Sequence, residues 1–491
     1  MTRIQRLDQL LEPLGIQAPA LRIEGMALDS RALRQGDLFV ALQGEREHGL
    51  RHLESALGKG AAAVLVERVP GLSLPQCPVP LVLVDALRSR LGLLADRCYG
   101  APSAALDVVG VTGTNGKTST VQFIAEAIEH LGGCSATQGT LGAGLRGALK
   151  AGERTTPDVL STHRLLREVL DAGADTVAME VSSHALVQGR VDGVRFDVAV
   201  YTNLTRDHLD YHGTMDAYFA AKASLFDWAE LGAAVINLDD AHGRRLWQAC
   251  RSRVPSFGYS AAAAPEARVR AQALELGPAG MRFELVLDEQ LFHIASPLLG
   301  RFNLANLLAC AASLRALEYA PAEVAAAMSA LTPVLGRMNR LGGGAQPLVV
   351  VDYAHTPDAI EKALSALREH CPGRLTIVFG CGGERDRGKR PEMARSAEAG
   401  ADRVWLTDDN PRGEDGDQIV ADALAGFLTP AKVQVQRDRA RAIETAIREA
   451  TAGDVVLIAG KGHEPYQEVA GRKLPFVDHE VAQQALARYA A

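Results

Sequence analysis

No stretch of the chain holds the roughly 18 uninterrupted apolar residues that a membrane-spanning helix needs. Residues 1–14 mix Arg, Asp and Glu among their leucines, which is not the pattern of a secretory leader, so the cytoplasm is the expected compartment. The seven cysteines, Cys77, Cys98, Cys134, Cys250, Cys310, Cys371 and Cys381, are odd in number and form no C-x-x-C pair. Reduced thiols are therefore expected rather than a disulfide framework. A basic stripe is also missing. Lys and Arg are spread along a chain of formal net charge -7, which argues against nucleic acid as a partner. There is no internal repeat, and no low-complexity tract beyond the alanine-rich residues 260–264. What the chain does have is size: 491 residues with 47% hydrophobic content exceed a single core, so two to four soluble domains are expected.

The most informative segment is Gly110-Val111-Thr112-Gly113-Thr114-Asn115-Gly116-Lys117-Thr118, which follows the apolar run 106–109 and precedes a helical stretch at 121–131. Strand, glycine-rich loop and helix make a phosphate cradle. Glycines turn backbone N–H groups toward anionic oxygens, the helix N-terminus adds its positive dipole end, and Lys117 supplies a cation. A nucleoside triphosphate is the natural occupant, with the Thr118 hydroxyl available to Mg²⁺. Val111 stands where the common spacing has glycine, so the loop is a variant.

Alternating strands and helices follow. Expected strands at 176–179, 197–201 and 233–236 continue the nucleotide unit, and residues 268–287 alternate polar and apolar side chains as a local antiparallel excursion. Expected strands at 348–351, 375–379, 403–406, 432–435 and 455–459, separated by amphipathic stretches, give a doubly wound sheet. Residues 1–103 form a small α/β domain of their own, with Ala101-Pro102-Ser103 as linker. Ligands on such sheets bind beyond the strand C-terminal ends. The acids and bases concentrate there. Glu180 closes a strand near the phosphate loop; Asp207, His208, Asp210 and His212 crowd the segment after the next, where His208 alone would read as a structural histidine. Lys222 sits in alanine-flanked surroundings that disfavour its charged form, although a snorkelling lysine reads the same way. Asp409-Asn410-Pro411-Arg412 pairs an acid and an amide suited to an ammonium with a guanidinium suited to a carboxylate, the outline of an amino-acid receptor; an ordinary proline turn is the alternative. Arg385 and Glu464 project from neighbouring strand ends.

In order along the chain, Gly113 to Thr118, Glu180-Val181-Ser182-Ser183-His184, Thr202-Asn203-Leu204 with Asp207-His208, Tyr218 to Lys222, Asn303 with Asn306, Gly336-Arg337-Met338 and Asp352-Tyr353-Ala354-His355-Thr356-Pro357 resemble the Mur ligase family of ATP-dependent peptidoglycan amide ligases. The resemblance implies three domains: 1–103 binding a uridine nucleotide substrate, a central P-loop ATPase-like parallel sheet over 104–334, and a Rossmann-like doubly wound domain over 335–491 receiving an amino acid. It implies addition of meso-2,6-diaminopimelate to UDP-N-acetylmuramoyl-L-alanyl-D-glutamate through an acyl phosphate, in cell-wall biogenesis and hence cell shape and division, by a cytoplasmic monomer. Leu28, Ser30, Thr155, Thr156, Ser182, Gln188 and Arg190 would contact the UDP substrate. Gly113, Thr114, Asn115, Gly116, Lys117, Thr118, Ser119, Asn306, Arg337 and Asp352 would lie against ATP. Lys117, Glu180, His208 and Lys222 would be catalytic, with Thr118, Glu180, His208 and Lys222, the last as a carbamate, holding Mg²⁺. Arg385, Asp409, Asn410, Pro411, Arg412, Gly460 and Glu464 would hold diaminopimelate. On this reading L-lysine, lacking the second carboxylate, would leave Arg412 and Arg385 buried without a counter-ion. Two positions depart from the family pattern: Arg154 stands where Asn is common, and Asn339 where an acid is common. A lysine-adding relative, a folylpolyglutamate synthetase with the same variant loop, and a nucleotide-dependent switch are the alternative readings.

Overall fold

The computed structural model describes residues 5–44, 47–152 and 154–489. The chain divides into two compact units, one of residues 1–270 and 306–327, the other of residues 271–305 and 328–491.

The first unit carries two sheets. The N-terminal sheet is parallel throughout, in the order Met26–Ala27, Leu38–Ala41, Ala63–Glu67, Leu81–Val84. Every residue of Leu38–Ala41 is buried, which explains a continuous apolar run without alternation. The helix Leu87–Tyr99 covers it, packing Leu87, Leu91 and Leu94 into one core with Leu38, Val40 and Leu65.

The larger sheet of this unit runs Ser256–Ser260, Ala233–Asn237, Val198–Tyr201, Asp107–Thr112, Thr176–Glu180, Ser135–Gly139, Gly142–Leu145. Only the last of these pairs is antiparallel. Asp107–Thr112 lies between Val198–Tyr201 and Thr176–Glu180, with Thr112 opposite Tyr201 and Val111 opposite Glu180. Three strand ends therefore open side by side, and the candidate residues that follow them are brought together by register rather than by proximity in sequence.

The excursion expected at 268–287 is there: Val269–Gly277 and Gly280–Leu287 are neighbouring strands of the sheet joined only by residues 278–279, a connection too short for anything but an antiparallel pair. Val269–Gly277 begins parallel to Ser256–Ser260, and Gln290–Ser296 extends the excursion as a further strand antiparallel to Gly280–Leu287.

The second unit holds the sheet Asn339–Gly342, Leu348–Asp352, Val455–Ala459, Leu375–Phe379, Arg403–Leu406, Gln434–Val435, parallel except for its first pair. The strand expected at 432–435 is only Gln434–Val435, because Pro430 opens a 3-10 turn that takes Lys432 out of the extended segment. Ile360, Leu364, Met393 and Ala397 cover one face, and Ala442, Ile443, Ala482 and Leu486 the other. The last long strand is inserted between Leu348–Asp352 and Leu375–Phe379, so the loops after all three converge on one edge. The α/β class with parallel sheets in the N-terminal, central and C-terminal regions is as expected. Among the described residues all seven cysteines are free and no helix is long and apolar enough to cross a membrane.

Candidate active site

Gly113 and Gly116 take φ values of +147° and +85°, conformations that side chains rarely adopt. The helix Lys117–His130 begins directly after Gly116 with no side chain capping it, so its first-turn N–H groups and positive end belong to the loop. Lys117 Nζ donates to the carbonyls of Gly113 and Thr114, both at 2.9 Å, which places the ammonium across the loop. The segment after Val198–Tyr201 braces it: Thr202 Oγ1 donates to Asn115 O at 2.6 Å, Asn115 N to Asn203 Oδ1 at 3.0 Å, and Thr114 N to Asn203 O at 2.9 Å. Asn306 lies against the loop, since a Cβ on Gly116 would strike its Oδ1. Ser119 is buried in the same helix.

Glu180 is buried and accepts the Thr118 hydroxyl at 2.9 Å on Oε1. Lys222 is 1% exposed; its Nζ donates to Gly113 O at 2.8 Å and lies 4.4 Å from the centre of the Tyr218 ring. Burial, helped by the positive charge of Lys117, pulls the Lys222 ammonium down from 10.5 to about 6. The desolvation expected from its alanine-flanked helix is therefore present, and a neutral amine at pH 7 is a nucleophile. His208 takes φ +52°; its ring is 4.8 Å from His184 and 6.1 Å from Tyr218. Among the described residues no three His, Cys, Asp or Glu side chains group as a ready-made metal site. Of the four candidate ligands, Thr118 and Glu180 are in contact, while Lys222 and His208 meet Tyr218 instead.

A second group adjoins Glu180. Thr156, fully buried, donates to Glu180 O at 2.8 Å and accepts from Ser182 N at 3.2 Å. Arg190 donates to Thr156 O at 2.9 Å and, through Nη2, to Gln188 Oε1 at 2.6 Å. Thr155 reaches Thr140 at 3.3 Å between hydroxyls. Five of the seven candidates for the UDP substrate thus share one network; Leu28 and buried Ser30 sit instead just past Met26–Ala27 of the N-terminal sheet.

In the second unit, Arg385, Asp409, Asn410, Arg412, Gly460 and Glu464 line a single cavity of about 470 Å³. Pro411 shapes it from behind: Gly383 N donates to Asn410 O at 2.9 Å, and a Cβ on Gly383 would collide with the Pro411 carbonyl. The glycine loop 380–385 is tied down by Arg390, which donates to Glu414 Oε2 at 2.7 Å while Glu384 N donates to the same oxygen at 3.0 Å. The Arg390 hydrogen bond holds Glu414 down at about 2. Burial pushes the Asp409 carboxyl up, against the pull of Arg439 and Lys461. Arg412 takes φ +54°, fixed by its N–H to Glu468 O at 2.9 Å. A left-handed arginine is strained backbone that the surroundings must enforce.

Two sequence expectations change here. Asn410 Oδ1 accepts both Lys461 Nζ at 3.0 Å and Glu468 N at 2.8 Å, whereas its Nδ2 donates to Glu464 Oε2 at 2.8 Å. Its carbonyl oxygen is committed, so Asn410 offers the cavity an N–H and suits a carboxylate rather than an ammonium. Arg385 is exposed, and Arg412 has Glu468 at 3.7 Å, so neither guanidinium is buried without a counter-ion. In the same unit Asp352 accepts Met338 N at 2.8 Å and Ala354 N at 2.9 Å, burial raising its carboxyl against these donors and Arg337. The Arg337 guanidinium is 5.3 Å from the Tyr353 ring.

Three family descriptions match along the chain: "Mur ligase family, catalytic domain" over residues 22–99, "Mur ligase middle domain" over 111–314 and "Mur ligase, glutamate ligase domain" over 336–462. The UDP-N-acetylmuramoyl-L-alanyl-D-glutamate--2,6-diaminopimelate ligase of Xanthomonas campestris pv. campestris (strain 8004) is 57% identical over 487 residues, covering 99% of this chain and 98% of that one. The chain belongs to the Mur ligase family. A solved structure of a UDP-N-acetylmuramoyl-L-alanyl-D-glutamate--2,6-diaminopimelate ligase is 36% identical, and the match covers 100% of both chains with a TM-score of 0.75. A Mycobacterium tuberculosis folylpolyglutamate synthase shares the fold at 18% identity, covering 82% of this chain and 94% of that one with a TM-score of 0.60.

For this Mur ligase the sequence reading passed over three groups in the two sites. Thr140 N donates to Glu180 Oε1 at 2.8 Å, and nothing local in the sequence marks it. Tyr211 accepts Gln188 Nε2 at 3.2 Å and lies 4.2 Å from the His184 ring; the density of His and Asp around it was the available signal. Lys461 stands between Gly460 and Gly462 and is fully buried, a fact no spacing conveys. Of the two departures from the Mur pattern, Arg154 is exposed and the Asn339 Oδ1 is buried without a hydrogen bond.

Proposed function

We propose that the chain is an ATP-dependent amide ligase that joins meso-2,6-diaminopimelate to the side carboxylate of UDP-N-acetylmuramoyl-L-alanyl-D-glutamate, a step of peptidoglycan synthesis. The observation that carries this is the cavity at the converging strand ends of the second unit, where Arg412, Arg385 and the Asn410 N–H face carboxylates and Asp409 and Glu464 face ammonium. A diamino dicarboxylic acid presents both kinds of group at both ends. The 57% identical relative bearing the diaminopimelate ligase name supports the same choice, and the phosphate loop supports ATP.

A carboxylate is a poor electrophile, so an amide made in water requires activation. The γ-phosphoryl group of ATP passes to a D-glutamyl carboxylate oxygen as its bond to the β-phosphate oxygen breaks and ADP departs; the amine lone pair then attacks the acyl carbon, the bond to phosphate breaks, phosphate departs, and a proton leaves the nitrogen. Lys117 and the loop N–H groups offset charge on the transferring phosphoryl. The Thr118 hydroxyl and Glu180 carboxylate, 2.9 Å apart, are oxygen donors of the kind Mg²⁺ takes. With His208, and with Lys222 as the carbamate formed when its neutral amine adds to CO₂ and loses a proton, they would hold Mg²⁺, which would supply positive charge against the phosphate oxygens. The Thr156, Ser182, Gln188 and Arg190 network would take the muramoyl peptide, and Leu28 and Ser30 the uridine end. A division into substrate, ATP and amino-acid domains at residues 103 and 334, and a cytoplasmic site of action, belong to the same proposal.

The test is phosphate release with the UDP substrate and ATP as each candidate amino acid is added in turn. Diaminopimelate is expected to support turnover at far lower concentration than L-lysine; equal support from both, or none from either, would refute the reading.

A further inference from the structure

The Lys461 side chain has no exposed surface, and its ammonium ends between two walls of the acceptor cavity. Nζ donates to Asn410 Oδ1 at 3.0 Å and to Glu464 Oε2 at 3.1 Å, and Asn410 Nδ2 closes the triangle by donating to that same Glu464 oxygen at 2.8 Å. The Tyr466 ring lies 5.7 Å from the ammonium. Fully buried ammonium groups are costly and persist only when paired. Both acceptors here belong to the receptor.

The geometry constrains what each wall shows to a ligand. Because Lys461 and Glu468 N are donors only, they fill Asn410 Oδ1 and forbid the flipped amide, leaving an N–H for the cavity. Because Glu464 Oε2 takes two donors, its rotamer is pinned. Asp409, which lines the same cavity, is pushed up by burial and by the Glu464 charge, and Arg439 and Lys461 pull it back down.

We propose that Lys461 is a positioning residue of the amino-acid receptor: it fixes the Asn410 amide in its donor orientation and holds the Glu464 carboxylate toward the amine end of the incoming amino acid. The inference rests on the reading of the cavity as the diaminopimelate site.

The test uses the full chain and steady-state phosphate release, with ATP, UDP-N-acetylmuramoyl-L-alanyl-D-glutamate and diaminopimelate varied in turn. Lys461→Met keeps length and removes charge. It is expected to raise the KM for diaminopimelate about tenfold or more, while kcat and the other two KM values stay within about threefold. An unchanged KM for diaminopimelate, or an equal rise in all three, overturns the inference. Since Lys461 acts in part through Glu464, adding Lys461→Met to Glu464→Gln is expected to raise the diaminopimelate KM by clearly less than the roughly tenfold expected of Lys461→Met alone; fully additive effects overturn it. If Lys461→Met alone does not fold, this second comparison carries the test, and a double variant that also fails to fold overturns it, the cation then serving stability. Absence of diaminopimelate-dependent turnover in the unaltered chain instead refutes the reading of the cavity, and the inference with it.

Discussion

Lys222 shows what burying an amine costs the fold. Its folded-state value of about 6 lies below the unfolded 10.5, so between those pH values the unfolded chain binds one more proton than the folded chain, and stability rises with pH. In CO₂-depleted buffer Lys222→Met should therefore raise the melting temperature at pH 7 by about 2 °C or more, the gain narrowing toward pH 10; no gain would mean that the ammonium is not desolvated. Lys222→Ala should lose turnover about a hundredfold or more and recover part of it with added short carboxylates, which replace the carbamate oxygens; full activity in CO₂-depleted buffer would exclude the carbamate. Arg412 is the other deciding residue. Because Glu468 already lies 3.7 Å from it, binding L-lysine would not strand a lone cation, and discrimination should be smaller than for an unpaired guanidinium. Arg412→Ala is expected to raise the KM for diaminopimelate about tenfold or more with little change in that for ATP, and equal effects on both would contradict the assignment.

At the scale of elements, the phosphate loop is held by a strand end distant in sequence. The Thr202 hydroxyl reaches Asn115 O and Thr112 O, so Thr202→Val removes both contacts while Asn203 Nδ2 still donates to the Asn115 carbonyl at 3.1 Å, a loss of about 0.5–1.5 kcal/mol. The expected readout is a raised KM for ATP with an unchanged KM for diaminopimelate; the reverse pattern would show that the brace does not serve the loop. Strand existence was legible from apolar runs, and the loop from its glycines, because both signals are local. Strand order was not. That Glu180 opens beside the loop follows from Thr176–Glu180 pairing with Asp107–Thr112, and a periodic pattern carries no information about which strand lies next to which.

At the scale of the whole molecule, each unit has a core of its own, and the second is pinned by an ion pair with both side chains fully buried: Arg439 donates from Nε and Nη2 to the two Asp478 oxygens, both at 2.7 Å. Removing one partner leaves an uncompensated buried charge, which costs about 3–5 kcal/mol. Asp478→Ala should thus lower the unfolding transition of the second unit in urea while leaving that of the first in place, followed by tryptophan fluorescence of Trp405 against Trp228 and Trp247. A single transition that shifts as a whole would show that the two units unfold together.

The sequence by itself determined the α/β class, the nucleotide cradle at Gly113 to Thr118, and the strand-end clusters that became one cavity, since each is written in contiguous residues whose backbone geometry is local. Tertiary structure decided the rest: the low proton affinity of Lys222, the donor orientation of Asn410, the counter-ion of Arg412, and the buried place of Lys461. These depend on what other segments bring within a few ångströms and on how much water they remove, and neither quantity exists until the chain has folded.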